Sequence, residues 1–173
     1  LPVEKEAQEK ILLAKEEWER TFDSVPDLIA IVDKDFRIAR VNRAMADRLG
    51  RSPKEAVGEK CFDLFHGLDC PASFCPHPQV VKENREKSVE FFEPHLSGFF
   101  FLTATPLKGT DSVIHVFRDI SDRKQSEKLL RQWADAFENC AHGIALGLPA
   151  TGKILTCNPA FAGMQGRSID EIS

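Results

Sequence analysis

The sequence predicts an α+β protein made of one complete domain, a connecting helix and the beginning of a second domain. Three observations carry this prediction. Residues 27–50 read as an apolar strand, a charged turn, an alternating strand and a short helix opened by Asn42. Residues 88–120 read as three further strands, separated from the first two by short helical segments. Finally, residues 41–44 (Val-Asn-Arg-Ala) return as residues 157–160 (Cys-Asn-Pro-Ala), an offset too long for a solenoid repeat.

Two charged amphipathic helices are predicted to flank the complete domain. Residues 3–21 lack glycine and proline and are rich in good helix formers. Their apolar residues follow a heptad-like spacing: Ala7, Ile11, Ala14, Trp18 and then Phe22. Residues 122–137 have a similar apolar face. We therefore expect a homodimer through helices 3–21 and 122–137, with a helix folded back on its own domain as the alternative.

Composition excludes several classes of protein. The hydrophobic content is 42% and the charged content 29%, as in ordinary globular domains. A net charge of −4 argues against nucleic-acid binding, and no apolar run approaches the roughly 20 residues of a membrane span. Five cysteines, an odd number, favour a reducing compartment, so a cytoplasmic location is expected. Because the chain starts at Leu1, we expect it to be a piece of a longer protein whose second domain is truncated.

In this order the elements resemble a PAS domain. Residues 119–124 (Asp-Ile-Ser-Asp-Arg-Lys) resemble the Asp-Ile-Thr exit motif of that family, and residues 41–44 resemble its strand-to-helix passage. The resemblance implies a five-stranded antiparallel sheet of order 2-1-5-4-3, with helices over one face and a small-molecule pocket between them. It divides the chain into a helix (1–21), a complete PAS domain (22–121), a linker helix (122–136) and a second, partial PAS domain (137–173).

The resemblance also implies a sensory role in signal transduction. The domain would detect a small ligand, a metal or a redox state. It would pass the change through Asp119, Ile120, Ser121 and Arg123 to an output domain outside this chain, for which a histidine kinase is the first expectation. A ligand-free dimerisation spacer is the alternative. The chain carries no phosphate loop, no G-x-S-x-G elbow and no HExxH motif, so we do not expect this part of the protein to be an enzyme.

A cysteine-rich segment, residues 61–77, is the most distinctive source of chemistry. Thiolates together with imidazoles suit Zn²⁺ or an iron–sulfur centre, and four ligands close a structural site. The predicted metal ligands are Cys61, His66, Cys70 and Cys75, with His77 as a substitute. Two other interpretations stay open. Cys70 and Cys75 can form a reversible dithiol pair, or the cysteines can be free thiols packed in a proline-stiffened loop.

The known ligands of the family give further expectations. Residues 58–65 place Cys61 where flavin-binding members have their reactive cysteine, but the Asn, Arg and Gln of that motif are missing, which argues against flavin. Haem-binding members use a histidine on the longer helix. Residues 80–86 contain none and His77 only precedes them, so haem is not favoured. An organic acid or another small metabolite could be bound by Arg118 or His115.

Overall fold

The computed structural model describes residues 2–172, with side chains from residue 7 onward. The chain divides into two compact units, Leu1–Ser121 and Asp122–Ser173. Leu1 and Ser173, which bound the predicted domains 1–21 and 137–173, lie outside the described residues. Within the described part of the chain, no helix is both long and apolar enough to cross a membrane.

The first unit is a five-stranded antiparallel sheet with short helices. Its elements are α1 (Pro2–Ser24), β1 (Leu28–Asp33), β2 (Ile38–Val41), α2 (Arg43–Leu49), α3 (Pro53–Ala56), α4 (Cys61–His66), α5 (His77–Glu83), β3 (Lys87–Glu93), β4 (Gly98–Pro106) and β5 (Ser112–Asp119). The strand order is β2-β1-β5-β4-β3, and every neighbouring pair is antiparallel. The predicted fold class and strand order are therefore confirmed.

The core lies between one face of the sheet and the short helices. Along β5 every second residue is buried, as expected for a strand that turns one face inward. The register places Leu28 opposite Phe117 and Ala30 opposite His115, so these four side chains share the inner face. The helices contribute further buried side chains to the same cluster: Met45, Ala46, Ala56, Cys61 and Phe65.

Local chemistry explains where the short helices begin and end. Ser52 and Glu55 form a capping box at the start of α3, with the Ser52 N–H donating to the Glu55 carboxylate at 2.8 Å. The last of these short helices, α5, begins at His77 and ends at Glu83. It ends there because Asn84 adopts a left-handed conformation (φ 49°), which asparagine tolerates better than most residues.

The second unit repeats the opening of the first. It comprises α6 (Ser121–Asn139, whose first residue belongs to the first unit), β6 (Ala145–Gly147), β7 (Ile154–Cys157), α7 (Pro159–Gln165) and α8 (Ile169–Ile172). In the first unit the Asn42 side-chain oxygen accepts the Ile29 and Met45 N–H groups, both at 3.0 Å. The Asn158 oxygen accepts the equivalent Ile144 and Phe161 N–H groups at 2.8 and 3.0 Å. The two asparagine-headed hairpins therefore fold alike.

Candidate functional site

Two imidazoles meet inside the core of the first unit. His77, the predicted substitute metal ligand, lies at the start of α5, and His115 lies on the inner face of β5. Their Nδ1 and Nε2 atoms are 2.9 Å apart, and the residues are 0% and 2% exposed. Burial lowers the pKa of His77, and burial together with the neighbouring His77 and His66 lowers the pKa of His115 to about 3. The pair is therefore uncharged at neutral pH.

The His77 ring, whose Nε2 atom is not bonded to His115, packs against a strained turn. In the described part of the chain, His77 Nε2 has no hydrogen-bond partner although it is fully buried. The Phe36 ring packs on the His77 ring with centroids 4.7 Å apart, and Phe36 has a φ of +64°, which a bulky side chain rarely adopts. The Asp33 carboxylate holds the turn by accepting the Asp35 and Arg37 N–H groups at 2.9 and 2.8 Å. Backbone strain and unsatisfied buried atoms concentrate at functional sites, so we place the candidate site here.

The first unit contains a second buried hydrogen-bonded pair, His66 and Glu93. His66, the last residue of α4, bonds through Nδ1 to Glu93 at the end of β3, and the two side chains are 8% and 4% exposed. The other Glu93 oxygen accepts the His95 N–H at 2.9 Å. Phe74 and Phe91 stack on each other at 4.5 Å, and each contacts the His66 ring edge to face. Phe74, from the cysteine-rich loop, therefore helps to seal the pair from solvent.

The cysteines are not arranged around one metal position. Cys61 is buried, Cys75 is partly buried, and Cys70 is exposed. Burial raises the pKa of Cys61 to about 12, with the nearby Cys75 thiol adding to the effect, and burial also raises the pKa of Cys75. Across residues 2–172, no three His, Cys, Asp or Glu side chains are positioned to hold a metal ion, and His66 is bonded to Glu93. The predicted metal set thus stays a prediction that this arrangement does not support.

Thiol labelling of the native protein tests this description of the loop. We expect Cys70 to react first, while Cys61 reacts roughly a thousandfold more slowly because its raised pKa leaves little thiolate. Mass spectrometry of labelled peptides, with an unfolded sample as the control for intrinsic reactivity, measures both rates. Equal rates at the two cysteines would contradict the burial of Cys61. Protection of Cys70 that a chelator removes would instead favour the metal interpretation.

The exit from the sheet is a junction of hydrogen bonds around Asp119. One Asp119 oxygen accepts an Arg48 N–H at 3.1 Å, and the other accepts the Ser121 N–H at 2.9 Å. The Ser121 hydroxyl accepts the Phe99 N–H at 2.9 Å, and the Phe99 carbonyl accepts the Ile120 N–H at 2.8 Å. Partial burial raises the pKa of Asp119, but the hydrogen bonds from Ser121 and Arg48 outweigh it and lower the pKa overall.

The predicted relay residues therefore divide into two groups. Asp119, Ile120 and Ser121 are bonded to β4 and, through Arg48, to α2. Arg123 lies on the exposed surface of α6, where it pairs with Glu127 at 3.7 Å. Sequence reasoning missed Arg48, whose Nε also donates to the Leu96 carbonyl at 2.8 Å, because nothing in its local pattern marks it.

The two residues suggested as ligands of an organic acid lie in different places. His115 is in the interior, bonded to His77. Arg118 has a largely exposed side chain, and it pairs with Asp27 at 3.1 Å. An interior ligand would therefore be close to His115 and not to Arg118.

The first unit is an antiparallel sheet of order β2-β1-β5-β4-β3 that short helices cover on one face. The chain leaves this sheet after β5 through an Asp-Ile-Ser junction. Together these features define a class of single-sheet α+β domains. A sequence model of the PAS fold matches residues 22–125, and the chain belongs to this family. No curated protein matches the chain.

Solved structures resemble this fold at low sequence identity. The photoactive yellow protein domain of the sensor histidine kinase Ppr from Rhodospirillum centenum is 20% identical, with a TM-score of 0.50 over 58% of this chain and 92% of its own. The PAS domain of nitrogen regulation protein NR(II) from Vibrio parahaemolyticus is 13% identical, with a TM-score of 0.50 over 59% and 96%. An RNA-binding light-oxygen-voltage receptor is 15% identical, with a TM-score of 0.54 over 72% and 38%. These likenesses concern the fold alone.

Proposed function

We propose that the first unit is a sensor whose interior cluster of histidines responds to a small ligand, a metal or a redox state, and that it passes the response to α6. PAS domains are in general sensory signalling modules. One observation carries the proposal for this chain. A single carboxylate, that of Asp119, is bonded both to α2, through Arg48, and to the first residue of α6. A movement of α2 or of the sheet would therefore change the start of α6.

Aromatic contacts connect the interior with this junction. The His66 ring contacts Phe91, whose ring centroid is 6.4 Å from that of Phe100. The Arg48 guanidinium lies over Phe100, 5.5 Å from the ring centroid, and the same guanidinium binds Asp119. A change at His66 would thus alter the packing under Arg48. Contact alone does not demonstrate coupling, so the proposal needs a direct test.

The output would lie outside this chain, with a histidine kinase as the first expectation. We also propose that the active form is a homodimer, joined through helices 3–21 and 122–137. Both helices expose large apolar side chains: Ile11, Leu12 and Leu13 on α1, and Leu129, Leu130 and Trp133 on α6. Amphipathic helices with exposed apolar faces bury those faces in coiled coils, and a second copy of the chain supplies the matching helix.

Replacing Asp119 with asparagine tests the relay. We expect the amide hydrogens of residues 121–125 to exchange several-fold faster, because the variant weakens the bonds to Arg48 and Ser121, at about 1 kcal/mol of stability. In the full-length protein the same variant should uncouple output from stimulus. Asp111→Asn is the matched control, because that carboxylate is 81% exposed and lies 4.0 Å from Lys34. Unchanged exchange at the start of α6 in Asp119→Asn would contradict the proposed relay.

A ligand-free spacer is the second candidate, and the filled interior favours it. Phe65, Phe100 and Phe117 are each at most 1% exposed and occupy the space between the helices and the sheet. Metal analysis and mass spectrometry of the anaerobically purified protein separate the candidates. A stoichiometric small molecule, zinc or iron supports the sensor. A sample that carries none of them and does not change its spectrum with redox state supports the spacer.

A further inference from the structure

The helix that enters each unit carries the same aromatic pair. Trp18 and Phe22 in α1 correspond to Trp133 and Phe137 in α6, at the offset of 115 residues that relates the two copies. After the hairpin turn the offset becomes 116 residues, because the second copy has one extra residue there. In the first unit the two rings stack with centroids 5.0 Å apart and planes 12° apart. The Arg40 guanidinium of β2 covers Trp18 at 4.3 Å from the ring centroid. The aromatic pair of α1 is therefore held by a side chain of β2.

Three polar contacts add to this joint. Arg40 also bonds to the Glu19 carboxylate of α1 at 2.7 Å. The Asp23 carboxylate accepts the Arg43 N–H at 3.0 Å, so the end of α1 binds the start of α2. The Asn42 side-chain amide donates to the Val25 carbonyl at 3.1 Å. The last turns of α1 are thus bonded to β2, to α2 and to the asparagine between them.

The second unit cannot form most of these contacts, because the residue types are different. Thr156 stands where the first unit has Arg40, so no guanidinium is available to cover Trp133. Ala134 stands in place of Glu19, and Pro159, which has no N–H, stands in place of Arg43. Trp133 is 72% exposed, compared with 45% for Trp18.

One contact of the joint is kept. The Asn158 amide donates to the His142 carbonyl at 2.9 Å, just as Asn42 donates to the equivalent Asp27 carbonyl, also at 2.9 Å. Gly143 is the next residue, and an added Cβ there would come within 3.0 Å of the Phe161 backbone. The backbone at Gly143 therefore packs closely against α7. The bonded part of the second unit therefore begins at His142, after the end of α6 at Asn139.

We infer that the two joints differ in mechanical role. The helix α1 moves with the rest of the first unit as one rigid body, whereas α6 pivots between Asn139 and His142 relative to the rest of the second unit. Rotation or tilting of α6 is then permitted at its downstream end, and the same motion of α1 is blocked. The inference deepens the proposed relay by naming the joint that moves. The stiffness of each joint can be measured whether or not Asp119 transmits a signal.

Tryptophan fluorescence reports each joint separately, because Trp18 and Trp133 are the only two tryptophans in the sequence. In Trp133→Phe protein the signal comes from Trp18, and in Trp18→Phe protein it comes from Trp133. At dilutions where the protein is monomeric, so that the proposed dimer contact does not cover α6, we expect acrylamide to quench Trp133 more than Trp18, in the order of their exposed fractions. Under the same conditions the anisotropy decay should show larger local motion at Trp133. Amide exchange over residues 133–140 should be several-fold faster than over residues 18–25.

Two substitutions move the joints in opposite directions. Arg40→Thr should raise the quenching and local motion of Trp18 toward those of Trp133, while Arg85→Thr, an exposed arginine away from the joint, should change neither. The pair Ala134→Glu and Thr156→Arg should lower the quenching and motion of Trp133 by rebuilding the first joint in the second unit. Equal protection of the two tryptophans in the monomeric starting protein would overturn the inference, as would an Arg40→Thr variant that leaves Trp18 unchanged.

Discussion

Replacing His66 with alanine is expected to destabilise the first unit by about 3–5 kcal/mol, one of the two largest effects predicted for this chain. The substitution removes the partner of the Glu93 carboxylate, whose side chain is only 4% exposed. It also removes the imidazole on which Phe74 and Phe91 pack. A buried carboxyl group that loses its hydrogen-bond partner is costly because it has also lost its hydration. Urea unfolding followed by circular dichroism measures the loss.

Two further variants separate the loss of the His66–Glu93 contact from the general effect of removing an imidazole side chain. His142→Ala removes an exposed imidazole of the second unit and should change stability by less than about 0.5 kcal/mol. The double variant His66→Leu with Glu93→Leu removes both polar groups and should lose clearly less stability than the two single leucine variants added together. If the double loss equals that sum, the buried pair is not a coupled unit. A His66→Ala loss below about 1 kcal/mol would show that Glu93 is already hydrated.

The parts of the fold that sequence reasoning found depend on short-range chemistry. Asn42 was recognised as a helix cap, and its side chain does bind the Met45 N–H three residues on. Asn158, in the repeated motif, binds the Phe161 N–H in the same way, also three residues on. Such contacts can be predicted from local spacing because the chain has few ways to place residues so close in sequence. The full five-stranded order came from the family resemblance, since no local pattern specifies which strands pair.

The candidate site depends on contacts that local spacing does not contain. His66 and Glu93 are 27 residues apart, and Arg48 and Asp119 are 71 apart. Each pair exists only after strand register has brought a helix end next to a strand end. The cysteine-rich loop shows that residues close in sequence can also have separate partners in the fold. His66 and His77 are close in sequence, but His66, at the end of α4, bonds to Glu93 of β3, and His77, at the start of α5, bonds to His115 of β5.

Stability should fall as the pH is lowered from 7 to 5, because His115 is held neutral in the core. Its pKa is about 3 in the folded unit, and a histidine in the unfolded chain has a pKa of about 6.5. Between these values the unfolded chain binds the proton and the folded unit does not, so acid favours unfolding. The contribution of His115 to the free energy of unfolding is fully present above pH 6.5. Below pH 6.5 this free energy falls by about 1.4 kcal/mol for each pH unit, a loss of about 2 kcal/mol by pH 5. His77, whose pKa burial also lowers, acts in the same direction.

The variant His115→Gln isolates this effect, because glutamine does not titrate and can still bond to His77 Nδ1. Urea unfolding at half-unit steps between pH 7 and 5 should give a steep loss for the starting protein and a shallower one for the variant. Most carboxylates titrate below this pH window. Asp119, whose pKa is lowered in the folded protein, loses its contribution to stability only at lower pH, so it adds little to the difference between the two proteins. Parallel curves for the two proteins would mean that His115 accepts a proton in the folded state, and the neutral imidazole pair would have to be abandoned.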